Sequence, residues 1–263
     1  MLLSDLGSDA LEAVTRRLAP CEVASLMLTC KSLAAAAEPK CSAWVALRAA
    51  VQKDECWYTA CRELAKGGHL QALVWADAEY KYYFDWETCV AAAEGGRLEV
   101  LQWLYGLGPA DSSPRPYDWE LEFMFAAAAE GGHLEVLQWL CTQTPPHPRE
   151  ERLICQHAAH SGHLEILQWC AQEPEWSWDG ETCSQAAAGG QLEVLQWLRG
   201  KTPPCPWFEW PICQYAAEGG HLAVLRRARE QSCPWDERTC QLAAEGGHLE
   251  VLKYVRAQSP PCP

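Results

Sequence analysis

Beyond about residue 55, apolar and polar positions recur in pairs of short segments that are separated by glycine. The clearest copy is Ala126-Ala-Ala-Ala-Glu-Gly-Gly-His-Leu-Glu-Val-Leu-Gln-Trp-Leu140. Glycine pairs mark the others at 67–68, 95–96, 189–190, 219–220 and 246–247, and Ser161-Gly162 holds the equivalent place once. Self-similarity at a period of roughly 20–50 residues is typical of stacked repeat proteins. The pattern therefore predicts seven copies of one structural repeat over residues 55–258.

Each repeat is predicted to contain two short helices. The first ends at the glycines, because glycine adopts the left-handed backbone that ends a helix without steric cost. The second, such as Leu249–Val255, is apolar over most of its circumference, which predicts that it is covered on both flanks. Neither exceeds about ten residues, and helices that short are marginal alone in water. We therefore expect the repeats to be stable only when stacked on one another.

The recurring run Ala-Ala-x-x-Gly-His-Leu-Glu-Val-Leu resembles the ankyrin repeat over about residues 55–258. The resemblance implies an all-α fold, a helix-turn-helix solenoid of about seven short repeats. Ankyrin repeats run to about 33 residues and open with Thr-Pro-Leu-His, whereas repeats here open with Thr88-Cys89, Thr182-Cys183 or Thr239-Cys240. Tight loops such as Pro203–Trp207 are expected in place of β-turn fingers. The chain is similar to the short, divergent ankyrin arrays that are attached to F-box domains.

Residues 1–50 follow a different pattern. Ser8 or Asp9 is suited to cap a helix that runs to about Leu18, and Pro20 suits the first turn of a second helix. Pro39 interrupts the chain before a further helix. The pattern predicts three or four short helices in a small bundle.

This segment resembles an F-box at Leu6, Asp9–Val14, Arg17-Leu18, Pro20, Glu22-Val23, Leu26, Leu28–Lys31 and Trp44. An F-box binds a Skp-type adaptor, which is held by a cullin scaffold with a RING subunit, and the attached repeats bind the protein to be ubiquitinated. The resemblance assigns the adaptor contact, or its supporting core, to Leu6, Leu11, Val14, Leu18, Val23, Leu26 and Leu28. The alternative is a plain ankyrin-repeat scaffold in which residues 1–50 only cap the first repeat.

The net charge of −14 is unevenly distributed. Residues 1–50 carry five basic and five acidic side chains, and the remainder carries 16 basic and 30 acidic ones. An acidic surface repels phosphate backbones, so nucleic acid is not an expected partner. The charge favours basic or neutral protein partners, or it serves solubility alone.

The sequence also bears on the cellular compartment. It contains no run of about 18 apolar residues, so no membrane span is expected. The segment Met1–Asp9 lacks the basic region and long apolar core of a secretory signal. The fifteen cysteines are therefore expected to be reduced. We expect a cytoplasmic or nuclear protein.

Cysteine and histidine recur at fixed positions of the repeat. Six cysteines lie six residues before the turn, namely Cys61, Cys89, Cys155, Cys183, Cys213 and Cys240, and Phe125 takes this place once. A core position accepts both residue types, whereas a nucleophile or metal ligand does not accept Phe. The residue after the glycines is His69, Arg97, His133, His163, Gln191, His221 or His248, which favours a hydrogen-bonding role over metal binding. No enzyme activity, cofactor, metal or small-molecule substrate is expected.

A second set of cysteines, Cys205, Cys233 and Cys262, lies in loops that contain proline. These side chains are expected to be half exposed. A redox or metal role there is the minor alternative.

The tryptophans fall into two classes. Trp75, Trp103, Trp139, Trp169 and Trp197 share the seventh place after the second glycine and are predicted to cover the seam between second helices. Trp86, Trp119, Trp176, Trp178, Trp207, Trp210 and Trp235 lie in or beside the loops that join repeats. Exposed Trp is typical of binding hot spots, each able to contribute ~2 kcal/mol or more. Our hypothesis is that these loops and the first helices bind a protein target; the alternative is that the rings only pack.

Two further segments stand apart from the repeat. Residues 106–117 form a Gly/Pro/Ser-rich insertion, which predicts a surface loop. Residues 259–263 nearly repeat 202–206 and resemble the start of another repeat. In the helix before them, Leu249, Leu252 and Val255 are expected to be partly uncovered.

Overall fold

The computed structural model describes residues 56–80, 84–107, 121–143, 148–172, 179–201, 204 and 211–258. Within these ranges every regular element is an α-helix, which confirms the prediction of an all-α chain there. The predicted bundle in residues 1–50, its boundary with the repeats near residues 50–55 and the tail 259–263 lie outside the described residues.

The chain divides into two compact units, Met1–Leu121 and Glu122–Pro263. The N-terminal unit contains α1 (Cys56–Gly67), α2 (Leu70–Tyr80), α3 (Trp86–Glu94) and α4 (Leu98–Leu107). The C-terminal unit contains α5 (Leu121–Glu130, which starts at the division), α6 (Leu134–Gln143), α7 (Pro148–Ser161), α8 (Leu164–Cys170), α9 (Gly180–Ala188), α10 (Leu192–Arg199), α11 (Ile212–Glu218), α12 (Leu222–Glu230), α13 (Glu237–Glu245) and α14 (Leu249–Ala257). Odd numbers are the predicted first helices and even numbers the second helices. All seven predicted helix pairs therefore lie in the described part of the chain.

Three first helices begin with the same side-chain signal. In α3, Oδ1 of Asp85 accepts hydrogen bonds from the backbone N–H of Thr88 at 2.9 Å and from its hydroxyl at 2.6 Å. Asp179 and Asp236 cap α9 and α13 in the same way. Such a cap satisfies one of the backbone N–H groups that a helix leaves without a partner at its start. These three repeats thus open with Asp-x-x-Thr-Cys, of which the sequence analysis recognised only Thr-Cys.

Small side chains form the contact face of the first helices. On α9, for example, Cys183, Ala186 and Ala187 are fully buried. In the N-terminal unit α1 packs against α3, and in the C-terminal unit α7, α9, α11 and α13 pack in succession. Helices lined by Ala and Cys can approach closely, because little side chain separates their backbones. This row of first helices carries the main contact between neighbouring repeats.

The repeated cysteine position belongs to the core, as predicted. Its buried members are Cys61, Cys89, Cys155, Cys183 and Cys213, and Phe125 at the equivalent place in α5 is also buried. Cys240 of α13 is half-buried. Burial raises the pKa of the Cys61 thiol to about 12, with a smaller contribution from the negative charge of Asp85. At neutral pH this cysteine is a protonated apolar side chain rather than a nucleophile.

The second helices bury one face. In α10, Val194, Leu195 and Leu198 are buried, whereas Leu192 and Trp197 are half-buried. The spacing i, i+1, i+4 places the buried residues on one side of the helix. The buried surface is therefore narrower than the apolar pattern predicted, because the leading Leu and the Trp remain at its margins.

The last helix, α14, also buries only one of its faces. Leu249 is 60% exposed and Leu252 is half-buried, as expected, but the expectation is wrong for Val255, which is buried. Val255 lies four residues after the buried Val251 and so shares its face of α14. The insertion predicted at 106–117 also begins later, since α4 extends to Leu107; its residues from 108 on lie outside the described ranges.

Each first helix ends as predicted, on a glycine with left-handed backbone. The second glycine of every pair has a positive φ, from 68° at Gly96 to 87° at Gly162. After α3, the N–H of Gly96 donates to the carbonyl of Ala93 and the N–H of Arg97 to that of Ala92, at 3.1 and 2.8 Å. This is the Schellman arrangement, which satisfies carbonyls at the end of a helix.

The glycines are also required because neighbouring repeats approach them. A Cβ on Gly132 would lie 2.6 Å from the imidazole of His163 in the next repeat. A Cβ on Gly219 would lie 2.8 Å from the carbonyl oxygen of Ala188 in the preceding repeat. The pair is thus the place where backbone and side chains of successive repeats come closest.

Three alanine substitutions separate the effect of the positive φ from the effect of the close approach by the neighbouring repeat. Gly132→Ala meets both the positive φ of 79° and the His163 ring; Gly247→Ala meets a φ of 72° with no atom within 4 Å; Gly106→Ala meets neither. We expect the free energy of unfolding to fall by about 1–2 kcal/mol for Gly247→Ala and by more for Gly132→Ala. For Gly106→Ala, inside α4, we expect it to be unchanged or to rise by up to about 1 kcal/mol. Urea unfolding followed by circular dichroism measures the series. Equal losses for Gly132→Ala and Gly247→Ala would show that the approach of His163 costs nothing.

Candidate partner-binding surface

A ladder of side-chain hydrogen bonds joins successive repeats at the turn. Its donors are the residues that follow the glycines, and each acceptor is the backbone carbonyl of the residue just before the glycines of the preceding repeat. Arg97 Nε donates to Lys66 O (3.0 Å), Gln191 Nε2 to His160 O (3.1 Å), and the Nε2 atoms of His163, His221 and His248 lie 2.8 Å from the carbonyls of Glu130, Ala188 and Glu218. We call these contacts the turn ladder.

The turn ladder explains why His, Arg and Gln share one position. The last carbonyls of a helix have no partner within the helix, so an external donor is needed. All three side chains place an N–H donor at a similar distance from the backbone. A carbonyl oxygen only accepts, so each ladder histidine carries its proton on Nε2. The prediction of a structural hydrogen-bonding role is confirmed at these five positions.

The other end of the first helices carries a second set of contacts between repeats. Arg62 of α1 donates to Asp85, the cap of α3, at 2.6 Å, and it also contacts Glu87. In the C-terminal unit Gln214 of α11 donates to both carboxylate oxygens of Asp236, the cap of α13, at 3.1 and 2.9 Å. Each of these aspartates therefore caps its own helix and accepts from the preceding repeat.

The charge balance at Arg62 shows how this end is organised. Burial opposes the guanidinium charge, but the hydrogen bond and charge of Asp85 and the charge of Glu87 outweigh it, and the pKa of Arg62 is raised. The positive charge is thus matched by two carboxylates of the next repeat. These contacts fix the orientation of the Asp85 carboxylate.

Two of the seven tryptophans proposed to bind a partner lie at this end. Trp86 is the first residue of α3, directly after the cap Asp85, and Trp235 directly precedes the cap Asp236. Both side chains are half-buried. The others, Trp119, Trp176, Trp178, Trp207 and Trp210, lie outside the described residues, as do Leu6, Leu11, Val14, Leu18, Val23, Leu26 and Leu28 of the proposed adaptor contact.

Trp235 is held between two neighbours. Its ring meets Tyr254 of α14 edge to face, with centroids 6.3 Å apart and an interplanar angle of 75°. The guanidinium carbon of Arg229 lies 4.0 Å from the centre of the Trp235 ring. Arg229 also donates to the carbonyl of Cys233 at 2.7 Å. Trp235 therefore packs against its neighbours and still leaves part of its ring exposed, so packing and partner binding are compatible hypotheses for it.

The cysteines require two corrections. Cys233, expected to be half exposed, is buried, because the turn after α12 directs it toward the core cysteine Cys213. Cys183 is disulfide-bonded, so the expectation that every cysteine is reduced is wrong there.

Replacement of a ladder histidine tests the turn ladder. His221→Gln keeps an N–H donor, as Gln191 does naturally, and we expect it to preserve the free energy of unfolding. His221→Leu leaves the carbonyl of Ala188 without its side-chain partner, and we expect a loss of about 1 kcal/mol. Equilibrium urea unfolding measures both variants. Identical losses of unfolding free energy in the two variants would show that the hydrogen bond does not contribute to stability.

Replacement of Trp235 tests its packing role. Trp235→Ala removes the contacts with Tyr254 and Arg229, each worth about 0.5–1.5 kcal/mol, so backbone amides of Leu249–Ala257 should exchange faster with deuterium. Trp235→Phe keeps an aromatic face and should retain most of the protection. Hydrogen exchange read by mass spectrometry gives the result. Unchanged exchange in the alanine variant would assign the ring to partner binding alone.

Comparisons with known proteins add no assignment: no protein-family model matches the chain, and no curated protein matches it significantly. Within the described residues no group of three or more His, Cys, Asp and Glu side chains is placed to hold a metal ion. No helix there has the length and apolar character needed to cross a membrane.

Proposed function

We propose that the chain is a protein-interaction protein, built on ankyrin-like repeats, that binds a protein target through its first helices and the loops that join repeats. The observation that carries this proposal is the turn ladder. It joins repeats through backbone carbonyls, which every residue type supplies, so neighbouring repeats stay together whatever the other surface side chains are. A scaffold of this kind lets exposed positions vary to suit a partner without altering the fold.

The one fully described connection between repeats supports the ankyrin-like assignment. The chain passes from α12 to α13 through only six residues, Gln231–Asp236, and no strand occurs in them. Ser232 takes a positive φ of 62° in this connection, and the N–H of Cys233 returns to the carbonyl of Ala228 at 2.9 Å. Such a tight loop matches the shortened ankyrin repeat that the sequence resembles.

The surface charge indicates the kind of target. Exposed glutamates occupy the same first-turn position of four second helices in the C-terminal unit, Glu135, Glu165, Glu193 and Glu250. A carboxylate there is stabilised by the positive end of the helix dipole. A repeated negative charge attracts basic or neutral protein segments and repels nucleic acid. We propose a protein target with a basic or neutral contact surface.

For residues 1–50 we propose an F-box that binds a Skp-type adaptor, itself held by a cullin. The chain would then be a substrate-recognition subunit of a Skp-cullin-F-box type ubiquitin ligase in the cytoplasm or nucleus. It would do no chemistry itself; it would raise the effective concentration of the target and orient it toward the catalytic subunits. The alternative function is a plain ankyrin-repeat scaffold without a ubiquitin role.

Co-purification distinguishes these two functions. The full chain should retain a Skp-type adaptor on an affinity column, and Leu11→Asp should lower retention by about a hundredfold, because a carboxylate in a buried apolar contact costs about 3 kcal/mol or more. Leu3→Asp, outside the F-box-like pattern, is the matched control and should bind normally. Circular dichroism confirms that each variant is folded. A folded native chain that does not retain the adaptor supports the plain scaffold.

A further inference from the structure

Two buried thiols meet where repeat six leads into repeat seven. Cys213 lies in α11 and Cys233 in the six-residue connection after α12, and their exposed fractions are 1% and 0%. The side chains are within hydrogen-bonding distance of each other. The two residues are separated by a complete helix, so the contact joins parts of the chain that are distant in sequence.

A second cysteine at the same place in the repeat shows what this position does. Cys183 of α9 stands six residues before the turn of repeat five, as Cys213 does in repeat six, and Cys183 is disulfide-bonded. Both residues occupy the same buried surface of a first helix. The core of this unit therefore accepts a disulfide at this position of the repeat.

We infer that Cys213 and Cys233 form a reversible redox pair, a modification site that closes to a disulfide between α11 and the α12–α13 connection. The inference is independent of the proposed function. It concerns a covalent change within the chain rather than a partner, and neither the adaptor nor the target enters it.

The surroundings give the two thiols different reactivities. The pKa of Cys233 is lowered by a hydrogen bond from Cys213 and by the charges of Arg229 and Arg199, in spite of burial. The pKa of Cys213 is raised by the same hydrogen bond and by burial. Cys233 lies in the connection, beside the charges of Arg229 and Arg199, whereas Cys213 is held inside α11. Because the thiolate is the reactive form and the connection is the part that can open, Cys233 is the attacking group and Cys213 the resolving group.

The oxidant is a small-molecule disulfide of the glutathione class. The Cys233 thiolate attacks one of its sulfurs, a mixed disulfide forms, and one small thiolate leaves. Cys213 then loses its proton and attacks the Cys233 sulfur, which forms the Cys213–Cys233 bond and releases the second small thiol. Two protein thiols and one small disulfide thus become one protein disulfide and two small thiols, and two electrons pass from protein to oxidant.

The small-molecule disulfide reaches Cys233 when the connection between α12 and α13 opens, and not through a change in the helices. Cys233 is buried, so attack requires residues 231–236 to leave the core for a short time. Ser232 holds a left-handed backbone with φ 62°, which costs a non-glycine residue free energy and makes this turn easier to open. The cross-link would hold the connection closed and, with it, Trp235 beside the cap of α13.

Cys155 and Cys170 provide a matched control within the same unit. They are also buried and hydrogen-bonded to each other, but each lies in a helix, α7 or α8. The pKa of Cys170 is raised by the hydrogen bond with Cys155 and by burial. Both thiols of this pair are therefore held in helices, without a connecting turn that opens.

The experiment equilibrates the purified full chain with mixtures of reduced and oxidised glutathione. Free thiols are then alkylated and peptides are mapped by mass spectrometry. We expect the Cys213–Cys233 peptide to become cross-linked, to reopen in excess reduced glutathione, and to oxidise roughly tenfold more readily than Cys155–Cys170. The inference is overturned if both cysteines are still recovered as alkylated thiols after the folded chain has been exposed to the most oxidising ratio. It is also overturned if the two pairs oxidise alike.

Single serine variants test the order of attack. In Cys213→Ser the resolving thiol is missing, so glutathione should accumulate on Cys233. In Cys233→Ser the remaining Cys213 should stay unmodified in the folded chain. Modification of Cys213 instead would reverse the assigned roles and contradict the inference. The native chain supplies the cross-linking result even if a serine variant does not fold.

Discussion

The structure depends on one recurring requirement: the last carbonyls of each first helix must find a donor outside that helix. The first glycine of the pair lets the preceding repeat approach, and the second turns the chain with a positive φ. The following His, Arg or Gln then reaches back to the preceding repeat, as in the contact of His221 with Ala188 at 2.8 Å. Because acceptor and turn are both backbone, the same contact recurs at five turns of the described residues, with Arg, Gln or His as the donor. Loss of the glycines or of the donor would weaken the contact between helices that are too short to be stable alone.

This requirement divides the surface of a repeat into two classes of position. The turn, the cap aspartate, the cysteine and the alanines are occupied by contacts that hold repeats together. Some exposed positions between them differ from one repeat to the next, as His160 and Glu218 do just before the turn. The proposed protein-interaction role relies on this division, because a binding surface needs side chains that vary on a backbone that does not. The adaptor role proposed for residues 1–50 is a separate inference, which depends on the residues that resemble an F-box.

The cysteines show that one residue type has several structural roles in this repeat. Cys61 and Cys89 fill core positions as small apolar side chains. Cys183 is disulfide-bonded, and Cys213 meets Cys233 as a thiol pair. The repeated position supplies Cys213 and Cys155; Cys213 meets Cys233 of a connection, whereas Cys155 meets Cys170 of a second helix. Repetition alone therefore indicates a core position but not the redox chemistry of an individual copy.

Sequence alone determined the features that depend on neighbours along the chain. Helix type, the ends of the first helices at glycine and the core place of Cys and Ala all follow from periodicity and from local backbone preference, and the described helices confirm them. The contacts of the turn ladder, the second role of Asp85 and Asp236 and the contact of Cys233 with Cys213 depend on residues about 20–33 positions away, whose approach no local pattern encodes. The disulfide of Cys183 was not indicated by any local pattern either. Only packing of one repeat against the next decided them, since a side chain's partner is set by distance in space.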